Sequence, residues 1–125
     1  MASVGEVMSR ELVILPPTAT VGDAVSEMHR RQVGSILVLR DGQLAGIFTE
    51  RDVVRALSLD AGAPRQALSD WMTHNPQTIS PDAPVDDALD LMLERGFRHL
   101  PVTQGRELVG MVSMRDLSRA AAEES

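Results

Sequence analysis

Gly96-Phe97-Arg98-His99-Leu100-Pro101-Val102, followed after a polar turn by Leu108-Val109-Gly110-Met111-Val112-Ser113-Met114-Arg115-Asp116-Leu117, is the stretch on which the fold turns. Two apolar runs, residues 100–102 and 108–112, flank a turn that carries Gly105 and charge, which predicts a β-hairpin. The second run meets Ser113-x-x-Asp116 where a helical pattern begins. That spacing places a hydroxyl and a carboxylate where a first helical turn has free N–H groups. A hairpin also returns Arg98 and His99 to the same helix start. A cation, an imidazole, a hydroxyl, a carboxylate and free N–H groups then share one small region, a combination suited to a ribose and a phosphate.

Outward from there, the stretch has a twin. Shifted by 64 positions, residues 8–56 align without a gap on residues 72–120. Met8 falls on Met72, Asp23-Ala24 on Asp87-Ala88, Gly46 on Gly110, Arg51-Asp52 on Arg115-Asp116 and Arg55-Ala56 on Arg119-Ala120. A solenoid takes about three repeats or more, so two imply a closed, pseudo-symmetric pair.

Each repeat reads strand, helix, strand, strand, helix. In the first, residues 12–15 form a short strand stopped by Pro16-Pro17. Thr20-x-x-Asp23 is a capping box, and Val21, Ala24, Val25 and Met28 give the apolar stripe of a packed helix that ends within residues 31–34. Strands 35–39 and 44–48 turn at Asp41-Gly42, and Thr49 opens a helix reaching about Leu57. In the second, a helical turn over 67–72 precedes a strand over 77–79 and a helix over 85–95, then the hairpin and last helix. Residues 1–11 read as a lead-in with a helical turn at Val7-Met8, and residues 120–125 as a frayed end. The expected fold class is α+β, tandem β-α-β-β-α repeats, with the first repeat over 1–62 and the second over 63–125.

Composition narrows the classes. The chain has 125 residues, one compact domain's worth, and repeats of this size are marginal for a private core, which predicts a shared one. A hydrophobic content of 43% with only 2% aromatics makes that core Val, Leu, Ile, Met and Ala. No apolar run approaches the ~18 residues of a membrane span, and no secretory signal is visible, so a cytoplasmic setting is expected. Without cysteine there is neither a disulfide nor a thiolate zinc site. A net charge of −6 speaks against duplex nucleic acid and anionic membranes as partners.

The recurring Thr49-x-x-Asp52 and Ser113-x-x-Asp116 have two readings. Both can be plain helix caps, or the carboxylate can accept from ribose hydroxyls while the hydroxyl and helix start meet phosphate. The two are compatible, because a capping hydroxyl leaves the Asp free. Repeat one has Gly34-Ser35 where repeat two has Arg98-His99, so the two sites should differ. His29, His74 and His99 lack ligand spacing, so no metal is expected. Ser113, His99 and Asp116 match a catalytic triad in type only, with no nucleophile elbow, and no Walker A or dinucleotide glycine motif occurs; no enzyme is expected.

These segments resemble the CBS domain, which occurs in pairs called Bateman modules. The marks are the tandem repeat, Val-Gly-Asp-Ala and Val-Asp-Asp-Ala at the first helices, Arg-His-Leu-Pro-Val, and Leu-Ala-Gly-Ile-Phe-Thr-Glu-Arg-Asp-Val beside its twin. The resemblance covers nearly the whole chain and implies a stand-alone pseudo-twofold CBS pair with two clefts between the repeats. It further implies that Asp52 and Asp116 hold ribose, that Thr49, Ser113, Arg98 and His99 lie near phosphate, and that Val13 and Gln77 meet an adenine. The implied ligands are AMP, ADP, ATP, NAD or S-adenosylmethionine, with no required cofactor. Such modules commonly pair as homodimers, and Val25, Met28, Leu89 and Met92 are open to either that interface or the core. The function expected is regulatory ligand sensing; the alternative is a dimerisation module that docks on a partner protein without a ligand.

Overall fold

The chain reverses where a residue can take a positive φ between two apolar runs. In the computed structural model, which describes residues 2–123, Asp41 (φ 53°) and Gly42 (φ 78°) turn β2 (Ser35–Arg40) into β3 (Gln43–Thr49). Gly105 (φ 63°) lies in the matching turn between β5 (His99–Gln104) and β6 (Glu107–Ser113). Both hairpins slip register at the same place, Val38/Leu39 and Val102/Thr103. The repeat therefore extends to backbone irregularity as well as to residue type.

Two compact units result, and each is built like the other. One comprises residues 13–76: β1 (Ile14–Leu15), α2 (Val21–Arg31), the first hairpin, α3 (Glu50–Leu59) and β4 (Thr73–His74). Its sheet runs β1-β2-β3-β4, with β1 parallel to β2 and the other pairs antiparallel. Val21, Ala24 and Met28 of α2 pack with Ile36, Val38, Phe48, Leu68 and Met72. The predicted box at Thr20 is made: Thr20 N–H donates to Asp23 Oδ2 at 3.1 Å and Asp23 N–H to Thr20 Oγ1 at 3.0 Å. Gln32, left-handed at φ 55°, ends α2 inside the expected window.

The other unit joins residues 77–123 to residues 2–12. It holds α1 (Val4–Val7), α4 (Val85–Arg95), the second hairpin and α5 (Met114–Glu123). Val85, Ala88 and Met92 pack with Leu100, Val102, Val112, Leu117, Ala120 and Val4. Met28 and Met92 thus belong to the cores; Val25 is exposed, and Leu89 is half-buried against the core.

Each unit has a cluster of buried apolar residues of its own. Each cluster is completed by a segment that the repeats do not count as their own. Residues 65–76 complete the first unit: Leu68 is buried there, Met72 lies against Gly46, and Thr73 pairs with Ile47. Their twins in the lead-in complete the second: Val4 is buried, Met8 lies against Gly110, and Ser9 bridges Met111. Each unit so reaches roughly sixty residues, enough to fold around one core. The compact units accordingly divide at 12/13 and 76/77, whereas the repeats as read in the sequence divide at 62/63.

Other differences are local. The strand expected over 77–79 is a single parallel bridge, Ile79 to Val102, with Pro76 and Pro81 restricting the backbone on either side. The helical turn expected over 67–72 is a 3-10 turn, Leu68–Asp70. The end expected to fray is helical through Glu123, because Leu117 and Ala120 are buried; residues 124–125 of that expectation lie outside the described residues. No helix among the described residues is long and apolar enough to cross a membrane.

The glycines under the two methionines have little room. A methyl on Gly46 would stand 2.5 Å from Met72 Sδ and 2.8 Å from the backbone oxygen of Thr73. The flexible thioether can retreat; the backbone oxygen cannot without loosening the β3–β4 pair. Gly46→Ala is expected to cost about 1–3 kcal/mol in urea unfolding, the usual range for overpacking, and an unchanged midpoint would contradict this close approach.

Candidate ligand-binding site

The hairpin does what the sequence spacing demanded of it. His99 pairs directly with Ser113, and Met114 N–H, first in α5, donates to the Arg98 carbonyl at 2.8 Å. Asp116 N–H donates to Ser113 Oγ at 3.1 Å, so the hydroxyl caps the helix. Arg98, His99, Ser113 and Asp116 are therefore gathered at one strand-to-helix junction. His99, Ser113 and Asp116 are half-buried and Arg98 is exposed. No donor among the described residues reaches the Asp116 carboxylate, which sits in the first turn of a helix whose N-terminal dipole favours negative charge.

The equivalent junction in the first repeat has the same backbone and different side-chain bonding. Ser35 pairs with Thr49, and Glu50 N–H donates to the Gly34 carbonyl at 3.2 Å. Here the carboxylate is occupied. Thr49 donates to Asp52 Oδ2 through its N–H at 2.9 Å and its hydroxyl at 3.2 Å. Arg55 Nη2 stands 3.5 Å from Asp52 Oδ1, and Asp52 is only 7% exposed. That guanidinium is itself held: it donates to the Trp71 carbonyl at 2.6 Å and lies 5.4 Å from the centre of the Trp71 ring. Trp71 Nε1 in turn donates to Gln66 Oε1 at 2.7 Å, and Gln66 Nε2 to Asp60 Oδ2 at 2.9 Å. The Gln66 amide first, then the Gly62 N–H, holds the Asp60 carboxyl below the usual carboxylate range.

Val13 and Gln77 occupy strand-entry positions. Val13 is half-buried beside the first core, and its carbonyl accepts from Leu37 N–H at 2.9 Å. Gln77 is exposed, and its Nε2 donates to the Thr78 carbonyl at 3.2 Å. Thr49, Asp52 and Val13 belong to one unit and Gln77, Arg98, His99, Ser113 and Asp116 to the other. Sequence reasoning missed the part played by Arg55 and Trp71. A signal was present: Arg55 recurs as Arg119, but the chain's one tryptophan has Val7 as its twin. No group of three metal-ligating side chains occurs among the described residues.

Paired β-α-β-β-α units, each ending its hairpin in Ser/Thr-x-x-Asp at a helix start, define a duplicated module. The chain belongs to the CBS domain family, which it matches twice, over residues 4–59 and 68–123. The CBS-domain containing protein ATU1752 from Agrobacterium tumefaciens superposes with a TM-score of 0.92 at 30% identity, over 96% of this chain and 99% of that one. CBSX2, solved in complex with AMP, superposes with a TM-score of 0.86 at 26% identity, over 99% of this chain and 98% of that one. An uncharacterized 17.7 kDa protein of Acidianus ambivalens is 38% identical over 120 residues, 94% of this chain and 71% of that protein.

Proposed function

We propose that this chain is a regulatory module that binds an adenosine-containing nucleotide, AMP foremost, at the junction of β6 and α5, and that it acts as a cytoplasmic homodimer without catalysis. The observation that carries the reading is the half-buried Asp116 carboxylate with no donor of its own among the described residues. Ribose 2′- and 3′-hydroxyls are donors of the right number and spacing for it. Arg98 and the start of α5 supply positive potential for a phosphate. The AMP complex of CBSX2 lends support through a shared fold at 26% identity. Exposed Val25 on α2 and Leu93 on α4 offer apolar surface for pairing of copies. Binding regulates only as far as the nucleotide prefers one state of the protein over another.

Calorimetric titration with AMP, ADP, ATP, NAD and S-adenosylmethionine tests the proposal; silence with all five rejects it. If Arg98 meets phosphate, Arg98→Ala weakens AMP about tenfold, the worth of one charge-assisted hydrogen bond, and leaves adenosine unaffected. Equal losses for AMP and adenosine would remove Arg98 from the phosphate.

A second reading, docking on a partner protein without a ligand, is favoured by the internal commitment of Asp52 and by exposed Val54 and Leu59 on α3. A partner captured equally well with and without nucleotide would support it.

A further inference from the structure

We propose that the chain takes one adenosine ligand and not two, because Trp71 holds Arg55 on the Asp52 carboxylate and closes the first repeat's counterpart of the Asp116 junction. The inference rests on the nucleotide reading of that second junction and adds its stoichiometry and the residue that sets it.

A carboxylate accepts about four hydrogen bonds, and a ribose diol needs two of them with room to approach. At Asp52, Thr49 takes two places on Oδ2 and the Arg55 guanidinium faces Oδ1. With the residue 7% exposed, a ribose reaches it only by displacing one of these groups. An arginine on a helix surface would ordinarily swing aside, since an exposed ion pair contributes little. Arg55 is not free to do so. Its bond to the Trp71 carbonyl at 2.6 Å and its stacking on the Trp71 ring fix the guanidinium from the far side. The ring is fixed in turn through Gln66.

The twin junction isolates the cause. Arg119 stands at the position of Arg55, three residues after its Asp. Val7 stands in place of Trp71 and Ala2 in place of Gln66, so neither the aromatic face nor the amide that steadies it exists there. Arg119 is exposed and has no acceptor among the described residues, and Asp116 is left open. The same Asp and Arg thus have opposite availability, and the aromatic residue with its steadying amide is what differs around the arginine.

Calorimetry with AMP and with adenosine on the full chain decides the matter. The wild type is expected to bind one equivalent. Arg55→Gln and Trp71→Val are each expected to admit a second, drawn by adenosine as readily as by AMP, because Gly34 and Ser35 replace the cation and imidazole of the other junction. Arg55 is half-exposed, so Arg55→Gln keeps the fold and decides alone if Trp71→Val does not fold. Two equivalents in the wild type, or one in Arg55→Gln, overturns the inference and leaves the nucleotide reading standing. Absence of any heat in the wild type overturns that reading, and this inference with it.

Discussion

Asp116→Ala is expected to weaken AMP binding by about 100-fold. Two hydrogen bonds from ribose hydroxyls to a charged acceptor contribute about 1.5 kcal/mol or more each, and every 1.4 kcal/mol is tenfold in affinity. Asp116→Asn keeps one acceptor oxygen and loses the charge, so a smaller drop, about tenfold, is expected. The same variants have little effect on folding. The Asp116 carboxylate bonds no described residue, and its place in the first turn of α5 contributes about 0.3–1 kcal/mol through the helix dipole. Separation of the two readouts is the useful part. A large loss of affinity with a near-constant urea midpoint places the carboxylate on the ligand. Unchanged affinity removes it from the site, and parallel loss of both makes it structural.

Excision of residues 1–12 is expected to destabilise the unit built from 77–123 by on the order of 4 kcal/mol. It removes Val4, fully buried, and Met8, which fills the space over Gly110. At about 1.5–3 kcal/mol for each buried aliphatic side chain the sum is a large part of a small unit's stability. It also strands backbone acceptors at Pro81 and Ala83, which take hydrogen bonds of 2.8 Å from Gly5 and Val4, and the carbonyl and N–H of Met111, which exchange bonds with Ser9. Val4→Ala alone is expected to cost about 2 kcal/mol, from two lost carbons and the void they leave. Hydrogen exchange locates the damage: amides of β5 and β6 lose protection while those of β2 and β3 keep theirs. Uniform loss across both hairpins would show that the units do not have separate cores.

Much of this was legible in the residues. The ungapped repeat, the turn at Asp41-Gly42 and the box at Thr20 are local signals, each set by neighbours within a few positions, and the structure follows them. The assembly of Arg98, His99, Ser113 and Asp116 was legible for the same reason, since a hairpin of known register brings strand ends together. What stayed hidden depends on distant partners. Val4 and Met8 show apolar spacing, but nothing in their neighbourhood says that Val85 and Gly110 receive them. Thr73 and His74 are polar and carry no strand pattern; they pair because β3 has an open edge. Asp52 and Asp116 look alike in sequence, yet Asp52 is faced by an Arg55 that bonds Trp71, sixteen residues further on.

Synthesis order follows from the path of the chain. Residues 13–76 are contiguous, so that unit has every part it needs as soon as its own stretch has left the ribosome. The lead-in emerges before that stretch, yet its seat on β6 and α5 is translated only after it. Until then Val4, Val7 and Met8 wait as a sticky, unclaimed tail, and closing a loop of that span slows the final step. A nascent-chain pause before β6 would therefore leave residues 13–76 finished and the other unit still open.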